Sequence, residues 1–244
     1  MRLLLISNST NHGEEYLAWP SPYIKDFLSQ SEVKKVLFIP YAGMGLSPER
    51  FATSYDLYEE KVRKVYQQLG YEIGSIHQVI DPVQAVKNAE AIAVGGGNTF
   101  HLVHMMHKLK IMEPIRQKVL NGAPYMGWSA GSNVACPTLM TTNDMPIIQP
   151  ESFKCTGLIP FQINPHYLDA HAQGHAGETR EQRIEEFLIV NKEMPVVGLR
   201  EGTLLQVEGD DIQLKGPRPM RYFKFGEEPS EYEPGSDISF LLGK

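Results

Sequence analysis

The pentapeptide Gly127-Trp-Ser-Ala-Gly131 is the part of the chain best suited to nucleophilic chemistry. It fits the pattern Gly-x-Ser-x-Gly and lies between a predicted buried strand, Ala123–Trp128, and a predicted helix that starts at Ser132. A serine on such a strand-to-helix turn is lifted out of the sheet, and small neighbours let the chain bend tightly. The backbone N–H of Ala130 is then a candidate oxyanion donor. Taken alone, the pentapeptide fits a simple tight turn equally well.

A serine hydroxyl needs a base within hydrogen-bond reach, and His166 is the candidate. It follows a short predicted strand, Phe161–Asn164, and should therefore lie at a strand end. The residue before a proline is held in an extended conformation, so Asn164-Pro165 favours a fixed aim for the imidazole. The alternative is a loop histidine that bonds only to the backbone.

Two acids are candidates for the group that orients His166. Asp144 lies in the loop after the serine turn, and Glu201 follows a predicted strand, Val196–Arg200. An acid in this role fixes the imidazole tautomer and stabilises its cation. Acids beside Gly or Pro are also common turn formers, and the sequence does not choose between the two.

A second glycine-rich turn, Gly95-Gly-Gly-Asn-Thr99, follows the predicted strand Ala91–Val94. It lacks the lysine of a P-loop and the spacing of a dinucleotide fingerprint, which argues against a phosphate site. Glycine lets a backbone approach a substrate closely. We therefore predict that the N–H of Gly97 pairs with that of Ala130 as a second oxyanion donor, and that Asn98 and Thr99 contact the substrate.

Short apolar runs alternate with amphipathic helical stretches through most of the chain. This alternation predicts an α/β fold, with a mostly parallel sheet flanked by helices on both faces. Ligands gather at the carboxyl ends of such strands, where both glycine-containing turns should lie. Thr138–Cys155 is predicted to be a loop over that edge. Without repeats or linkers, residues 1–244 are predicted to form a single domain, with about 227–244 as a loosely packed surface tail.

Composition excludes several function classes. The 244 residues carry a net charge of −6, which argues against nucleic acid or an anionic membrane surface as the main partner. Two cysteines are too few for a disulfide framework, and Cys136 is predicted to be a buried small residue, not a nucleophile. The apolar run in residues 1–7 is too short for a signal peptide. A cytoplasmic location and a monomer or homodimer are expected.

Several longer motifs together resemble the peptidase E family of α-aspartyl dipeptidases, whose fold is related to class I glutamine amidotransferases. The resemblance runs from Leu3 to about Gly226, and the motifs that carry it are Val94-Gly-Gly-Gly-Asn-Thr-Phe100, Gly127-Trp-Ser-Ala-Gly131, Cys136-Pro137, Thr141-Thr-Asn-Asp-Met-Pro-Ile147, Gln162-Ile-Asn-Pro-His166 and Gly177-Glu-Thr-Arg-Glu-Gln-Arg183. It implies a three-layer sandwich with a nucleophile elbow and a serine peptidase that removes an N-terminal aspartate from dipeptides without a cofactor or metal.

By position, the resemblance implies that Ser129 is the nucleophile, His166 the base, and Gly97 and Ala130 the oxyanion donors. Asp144 and Glu201 both match positions proposed for the third member. Arg180 matches the residue that holds the substrate's aspartyl carboxylate, which agrees with bidentate carboxylate binding by a guanidinium. One departure is Ser132, where the family pattern leads us to expect a small apolar residue; the other is a tail longer than usual.

Other readings stay open at this point. His166, His171 and His175 lie within ten residues of one another with Asp169 between them, although not at the spacing of a helical zinc site. A metal-dependent hydrolase is therefore an alternative. So is a binding module that has lost catalysis, although the complete Ser–His–acid set argues against it. A closer rival is a peptidase of the same fold that acts on β-aspartyl or cyanophycin-like substrates.

Overall fold

The computed structural model, which describes residues 1–48, 50–169 and 177–243, is built around a seven-stranded sheet. The helices are α1 (Ser21–Ser29), α2 (Phe51–Leu69), α3 (Pro82–Asn88), α4 (Thr99–Lys108), α5 (Met112–Leu120), α6 (Ala130–Asn133) and α7 (Arg180–Val190). The strands are β1 (Arg2–Ile6), β2 (Lys35–Ile39), β3 (Glu72–Ser75), β4 (Ala91–Val94), β5 (Tyr125–Trp128), β6 (Gln162–Tyr167), β7 (Val196–Arg200), β8 (Leu204–Glu208), β9 (Asp211–Lys215), β10 (Met220–Phe223) and β11 (Ser230–Tyr232). Short 3-10 helices span Ile76–Gln78 and Ser239–Leu242.

The strand order of the large sheet places the catalytic candidates side by side. The order is β3-β2-β4-β5-β1-β8-β9; the first five strands are parallel to one another, β8 is antiparallel to β1, and β9 is antiparallel to β8. Adjacent strands β4, β5 and β1 therefore end at one edge. The glycine turn follows β4, and Ser129 follows β5, which confirms the predicted placement of both turns at the carboxyl ends of strands.

Side chains alternate between two cores, one on each face of this sheet. On β1, Leu3 and Leu5 join the core on one face, which includes buried residues of α3, α4 and α5. Leu4 and Ile6 join the core on the other face, under α1 and α2. All four leucine and isoleucine side chains are fully buried, as expected for a strand covered on both sides. The predicted α/β sheet flanked by helices on both faces is confirmed.

A second, four-stranded sheet carries His166, the candidate base, and ends beside Glu201, one of the two candidate acids. Its order is β11-β10-β7-β6, with β6 and β7 parallel and the other pairs antiparallel. Apolar residues of β6 and β7, such as Ile163 and Val197, belong to the same core as β1 and α4. The apolar pattern predicted both strands but did not reveal that they leave the large sheet.

The segment after Gly226 differs from the predicted loose tail. Its strand β11 pairs with β10, and Ile238 and Leu241 are buried in the main core. The prediction of a loosely packed tail is wrong because it was based on Glu, Pro and Gly content, which conceals two core positions within a polar segment. No helix among the residues the structure describes is long and apolar enough to cross a membrane.

Candidate active site

Ser129 lies on a strained turn between β5 and α6. Its φ of +54° is in a region that side-chain-bearing residues rarely adopt, and its N–H donates to the carbonyl of Ile6 at 3.0 Å. The glycines of the motif are required by close backbone contacts. A Cβ on Gly131 would lie 2.1 Å from the Val94 carbonyl oxygen, and one on Gly127 would lie 2.2 Å from that of Gly131. The predicted tight turn is therefore built by glycine on both sides of the serine.

Ser132, the departure from the expected apolar residue, fastens this turn to the sheet. The side chain is fully buried, and its hydroxyl lies 2.7 Å from the carbonyl oxygen of Ile6 and 2.9 Å from that of Gly127. A buried hydroxyl is tolerated when it is hydrogen-bonded. Here it links the ends of β1 and β5 to the first turn of α6.

His166 also has a left-handed backbone, with a φ of +53°. The register between β6 and β7 shifts at this point, between Pro165 and Tyr167, as in a β-bulge. The His166 N–H donates to the hydroxyl of Ser7 at 3.0 Å, and this hydroxyl donates to the Leu199 carbonyl at 2.7 Å. The bulge and the Ser7 link fix the direction of the imidazole.

The imidazole of His166 touches both of its expected neighbours. Nε2 lies 2.9 Å from the Ser129 hydroxyl, and Nδ1 lies 2.7 Å from Oε1 of Glu201. The Glu201 loop is held in turn, because the Gly202 N–H donates to Oδ1 of Asn8 at 2.8 Å. This chain of contacts has the order nucleophile, base, acid. A neutral imidazole that donates from Nδ1 to Glu201 leaves Nε2 free to accept the serine proton.

Asp144, the other acid candidate, makes different contacts. Its Oδ2 accepts hydrogen bonds from the Thr99 N–H at 2.7 Å, the Thr99 hydroxyl at 2.6 Å and the Thr142 hydroxyl at 3.0 Å. Among the described contacts, none joins Asp144 to His166. The structure therefore brings Glu201, and not Asp144, to the imidazole.

The two substrate-binding candidates of the glycine turn have separate positions. Thr99 is fully buried, and its N–H and hydroxyl both donate to Asp144. Although it was predicted to contact the substrate, it is not among the described residues that line the Ser129 cavity. Asn98 caps α4 by accepting from the His101 N–H at 3.0 Å. Its amide donates to the Met145 carbonyl at 3.0 Å, and it does line the cavity.

Gly97 and Ala130 both lie next to the serine. Gly97 has a φ of +132°, and a Cβ there would lie 2.2 Å from the Ala42 carbonyl oxygen, so only glycine fits. Within the described part of the chain, the N–H groups of Gly97 and Ala130 donate no hydrogen bond to another residue. Two such donors beside a nucleophile are suited to stabilising an oxyanion.

Ser129 opens into a cavity of about 590 Å³, which is large enough for a small peptide. Its wall is formed by Ser129 and His166, the glycine turn, one acid, and residues of α2 and of the loop after β2. The described lining residues are Ser9, Tyr16, Ala42, Gly43, Met44, Gly45, Leu46, Tyr58, Lys61, Gly96, Gly97, Asn98, Ser129, Asp144 and His166.

Tyr58 and Ser7 were missed at the sequence level. The Tyr58 hydroxyl donates to the Gly96 carbonyl at 3.0 Å and accepts from the Trp128 indole N–H at 3.0 Å. Burial raises the pKa of Tyr58 to about 12, so it stays a donor. Its helical spacing indicated only a core residue. For Ser7 a usable signal existed, because it directly follows strand β1 at the same edge as Ser129.

Arg180 is the first residue of α7 and lies in a neighbouring cavity of about 170 Å³. Its guanidinium contacts Oδ1 of Asn143, and Asp144 lines both this cavity and that of Ser129. Burial and then the charge of Arg183 lower the pKa of Arg180. No described carboxylate pairs with Arg180.

Two further candidates, Cys136 and Asp169, take no part in this geometry. Cys136 is fully buried, and burial raises the pKa of its thiol to about 12, as expected for an inert interior cysteine. Asp169 pairs with Arg200 at 2.5 Å, and His166 is engaged as above. His171 and His175 lie outside the described residues. Among the residues that the structure does describe, no group of three or more His, Cys, Asp or Glu side chains could hold a metal ion.

Known proteins are similar to this chain over nearly its whole length. Residues 3–215 match the model of the family described as Peptidase family S51. The chain is 56% identical to a peptidase E of Nostoc sp., over 99% of this chain and 96% of the relative. It is 45% identical to a peptidase E of Shewanella amazonensis, over 99% of each. The fold is also that of a crystal structure of a peptidase from an acI-B1 Actinobacterium, with a TM-score of 0.69, 20% identity, and coverage of 98% of this chain and 96% of the other.

Proposed function

Since the chain belongs to peptidase family S51 and is a serine peptidase, we propose that it hydrolyses dipeptides that begin with aspartate. The observation that carries this proposal is the contact chain Ser129–His166–Glu201, with distances of 2.9 and 2.7 Å. The cavity beside Ser129 is also lined by an acid, Asp144, which takes no part in the Ser129–His166–Glu201 contacts. Hydrolysis and recognition are thereby assigned to different residues.

The proposed reaction is acyl transfer to water. The Ser129 hydroxyl attacks the carbonyl carbon of the aspartyl residue, and Nε2 of His166 takes its proton. Glu201 stabilises the imidazolium, and the N–H groups of Gly97 and Ala130 stabilise the tetrahedral oxyanion. His166 then returns the proton to the leaving amine as the C–N bond breaks. Water, deprotonated by His166, attacks the aspartyl ester and releases aspartate and free Ser129.

Asp144 is proposed to bind the substrate's N-terminal ammonium group. Only Oδ2 of this carboxylate accepts hydrogen bonds from the described residues, so Oδ1 is available to a ligand. Three donors hold the carboxylate at the cavity wall. A carboxylate held in this position selects substrates with a free amino terminus, as expected of a dipeptidase that removes the N-terminal residue.

Arg180 is proposed to bind the side-chain carboxylate of the substrate aspartate. It is partly buried, has no described ionic partner, and lies beside Asn143 and Asp144 at the boundary of the two cavities. A desolvated guanidinium without an anion is unfavourable, and a substrate carboxylate would supply the missing partner. A substrate with asparagine or glutamine in place of the N-terminal aspartate would lack this carboxylate charge.

The segment Thr138–Cys155 is proposed to act as a lid over the cavity. It reaches the rim through Met145, whose carbonyl accepts from the Asn98 amide at 3.0 Å, and the Met145 side chain is largely exposed. A second candidate for this role, His166–Gly177, lies largely outside the described residues. In either case, tripeptides beginning with Asp should be cleaved more slowly than dipeptides.

The test of this function compares Asp-Leu with Asn-Leu, Glu-Leu and β-Asp-Leu, using wild type, Arg180→Ala and the control Arg183→Ala. Arg183 is exposed and pairs with Glu178 at 3.6 Å. We expect the wild type to prefer Asp-Leu, and Arg180→Ala to lower kcat/KM for Asp-Leu by about 100-fold while hardly changing Asn-Leu. Arg183→Ala should retain the wild-type preference.

Two results would contradict the proposal. Equal losses on Asp-Leu and Asn-Leu in Arg180→Ala would remove the recognition role of this residue. Faster wild-type cleavage of β-Asp-Leu than of Asp-Leu would instead favour the rival peptidase that acts on β-aspartyl substrates.

A further inference from the structure

We propose that Lys61 binds the C-terminal carboxylate of the dipeptide and thereby selects substrates by length. The inference rests on the proposed function, since it concerns the leaving side of the same substrate. Lys61 lines the cavity into which Ser129 opens. It is a substrate-binding residue in this proposal, and it takes no part in proton transfer.

The position of Lys61 relative to the reacting atoms follows from α2. Tyr58 lies three residues earlier, so both side chains are on the same helix face, and both line the cavity. The Tyr58 hydroxyl donates to the carbonyl of Gly96, the residue before the proposed oxyanion donor Gly97. Lys61 is therefore one helical turn away from a residue that touches the oxyanion turn.

The charge of Lys61 has no counter-ion in the described structure. The next two basic residues of α2, Arg63 and Lys64, pair with the glutamates four residues before them. Lys61 has Leu57 at that position, and the other neighbouring positions on its face provide no carboxylate. Within the described ranges Lys61 makes no ion pair, although it lines the cavity into which Ser129 opens.

Tyr16 holds the ammonium group of Lys61 in place. Nζ lies 4.0 Å from the centroid of the Tyr16 ring, a distance typical of a cation–π contact. The Tyr16 hydroxyl lies 3.2 Å from that of Tyr58, which connects the ring to the same cavity wall. A cation oriented on a ring, with its N–H groups unpaired, is suited to bind an anion from the cavity.

An Asp-Xaa dipeptide has three charged groups, and the site then offers a partner for each. Asp144 takes the ammonium group, and Arg180 takes the side-chain carboxylate. Among the described titratable side chains that line the Ser129 cavity, Lys61 is the cation left for the terminal carboxylate. In a tripeptide, this carboxylate lies about 3.5 Å further along the chain, beyond the position that a dipeptide would give it.

The experiment measures kcat and KM for Asp-Leu and for Asp-Leu amide, which lacks the terminal charge. The proteins are wild type, Lys61→Met and the control Lys64→Met, which removes a lysine of the same helix that pairs with Glu60. We expect Lys61→Met to raise KM for Asp-Leu about tenfold, with little change in kcat. Its kinetics on Asp-Leu amide should match those of the wild type, which also shows that the variant is folded. Lys64→Met should behave as the wild type on both substrates.

The possible failures are distinguishable. If the wild type cleaves neither substrate, the proposed function is wrong, and the role of Lys61 is overturned with it. If the wild type cleaves both but Lys61→Met affects them equally, or affects neither, only the carboxylate role is overturned. A wild type that shows no preference for Asp-Leu over its amide would have the same consequence.

Discussion

Two of the four non-glycine residues with a left-handed backbone, among those the structure describes, are Ser129 and His166. Such conformations are unfavourable and persist only where the surroundings impose them. At Ser129 the imposing contacts come from Gly127, Gly131 and Ser132, and at His166 they come from the bulge and Ser7. At the residue scale, backbone strain is therefore present at both Ser129, the proposed nucleophile, and His166, the proposed base.

We predict that Glu201→Gln and Asp144→Asn affect different kinetic constants. Glu201→Gln removes the charge that stabilises the imidazolium and should lower kcat for Asp-Leu roughly 100-fold or more. Asp144→Asn removes the proposed partner of the substrate ammonium and should raise KM about tenfold, with a smaller change in kcat. Steady-state kinetics over a range of Asp-Leu concentrations separates the two.

The reverse pattern would contradict these assignments. If Asp144→Asn lowered kcat strongly while Glu201→Gln left kcat unchanged, the partner of the base would be Asp144 and not Glu201. The sequence left this choice open because it depends on how β6 pairs with β7. The parallel pairing in the second sheet places the end of β7, and hence Glu201, beside His166.

At the scale of elements, the elbow depends on close packing between β4, β5 and α6. The Gly131 Cα is so near the Val94 carbonyl that an added methyl group would lie 2.1 Å from its oxygen. Both partners are backbone atoms, so relief requires α6 to move relative to the sheet.

Gly131→Ala should therefore lower the free energy of unfolding by about 1–3 kcal/mol, and it should also displace Ser129. Urea unfolding measures the first effect, and Asp-Leu hydrolysis measures the second. Gly45→Ala is the matched stability control, since a Cβ at Gly45 would meet nothing within 4 Å. A Gly131→Ala protein as stable as Gly45→Ala would contradict the tight contact between α6 and β4.

Strands and helices could be predicted from the sequence where their apolar residues have a regular spacing. The strands Ala91–Val94 and Val196–Arg200 were predicted with their observed bounds. Partition of the strands between two sheets was not predictable, because strands of both sheets have similar apolar runs. Lys61 was also missed, since a lysine on a helix face indicates only solvent exposure unless its spatial neighbours are known.

At the scale of the whole molecule, the last residues of the chain are part of the fold. Glu231 of β11 binds the guanidinium of Arg200 at 2.7 Å, next to Glu201, and Arg200 also holds Asp169, three residues after His166. Hydrogen bonds from Arg200, and then its positive charge, keep the pKa values of both carboxyl groups below their usual range. Through Arg200, the segment after Gly226 is thus linked to the end of β7 and to the residues that follow β6.

We predict that Ile238→Ala destabilises the protein by about 2–4 kcal/mol, because it deletes a fully buried side chain from the main core. Ile80→Ala is the matched control, since Ile80 is fully exposed, and it should change the free energy of unfolding by less than about 0.5 kcal/mol. Urea unfolding of both variants is the measurement. Equal free energies of unfolding for the two variants would contradict this prediction and support a loosely packed tail.

The most direct test of the whole account is the hydrolysis of Asp-Leu by wild type and Ser129→Ala, each with and without a metal chelator. Circular dichroism establishes that the variant is folded. We predict rapid cleavage by the wild type, no effect of the chelator, and a fall in kcat of about 10⁶-fold in Ser129→Ala. Cleavage that survives the loss of Ser129, or that the chelator abolishes, would contradict the serine mechanism and favour a metal-dependent hydrolase.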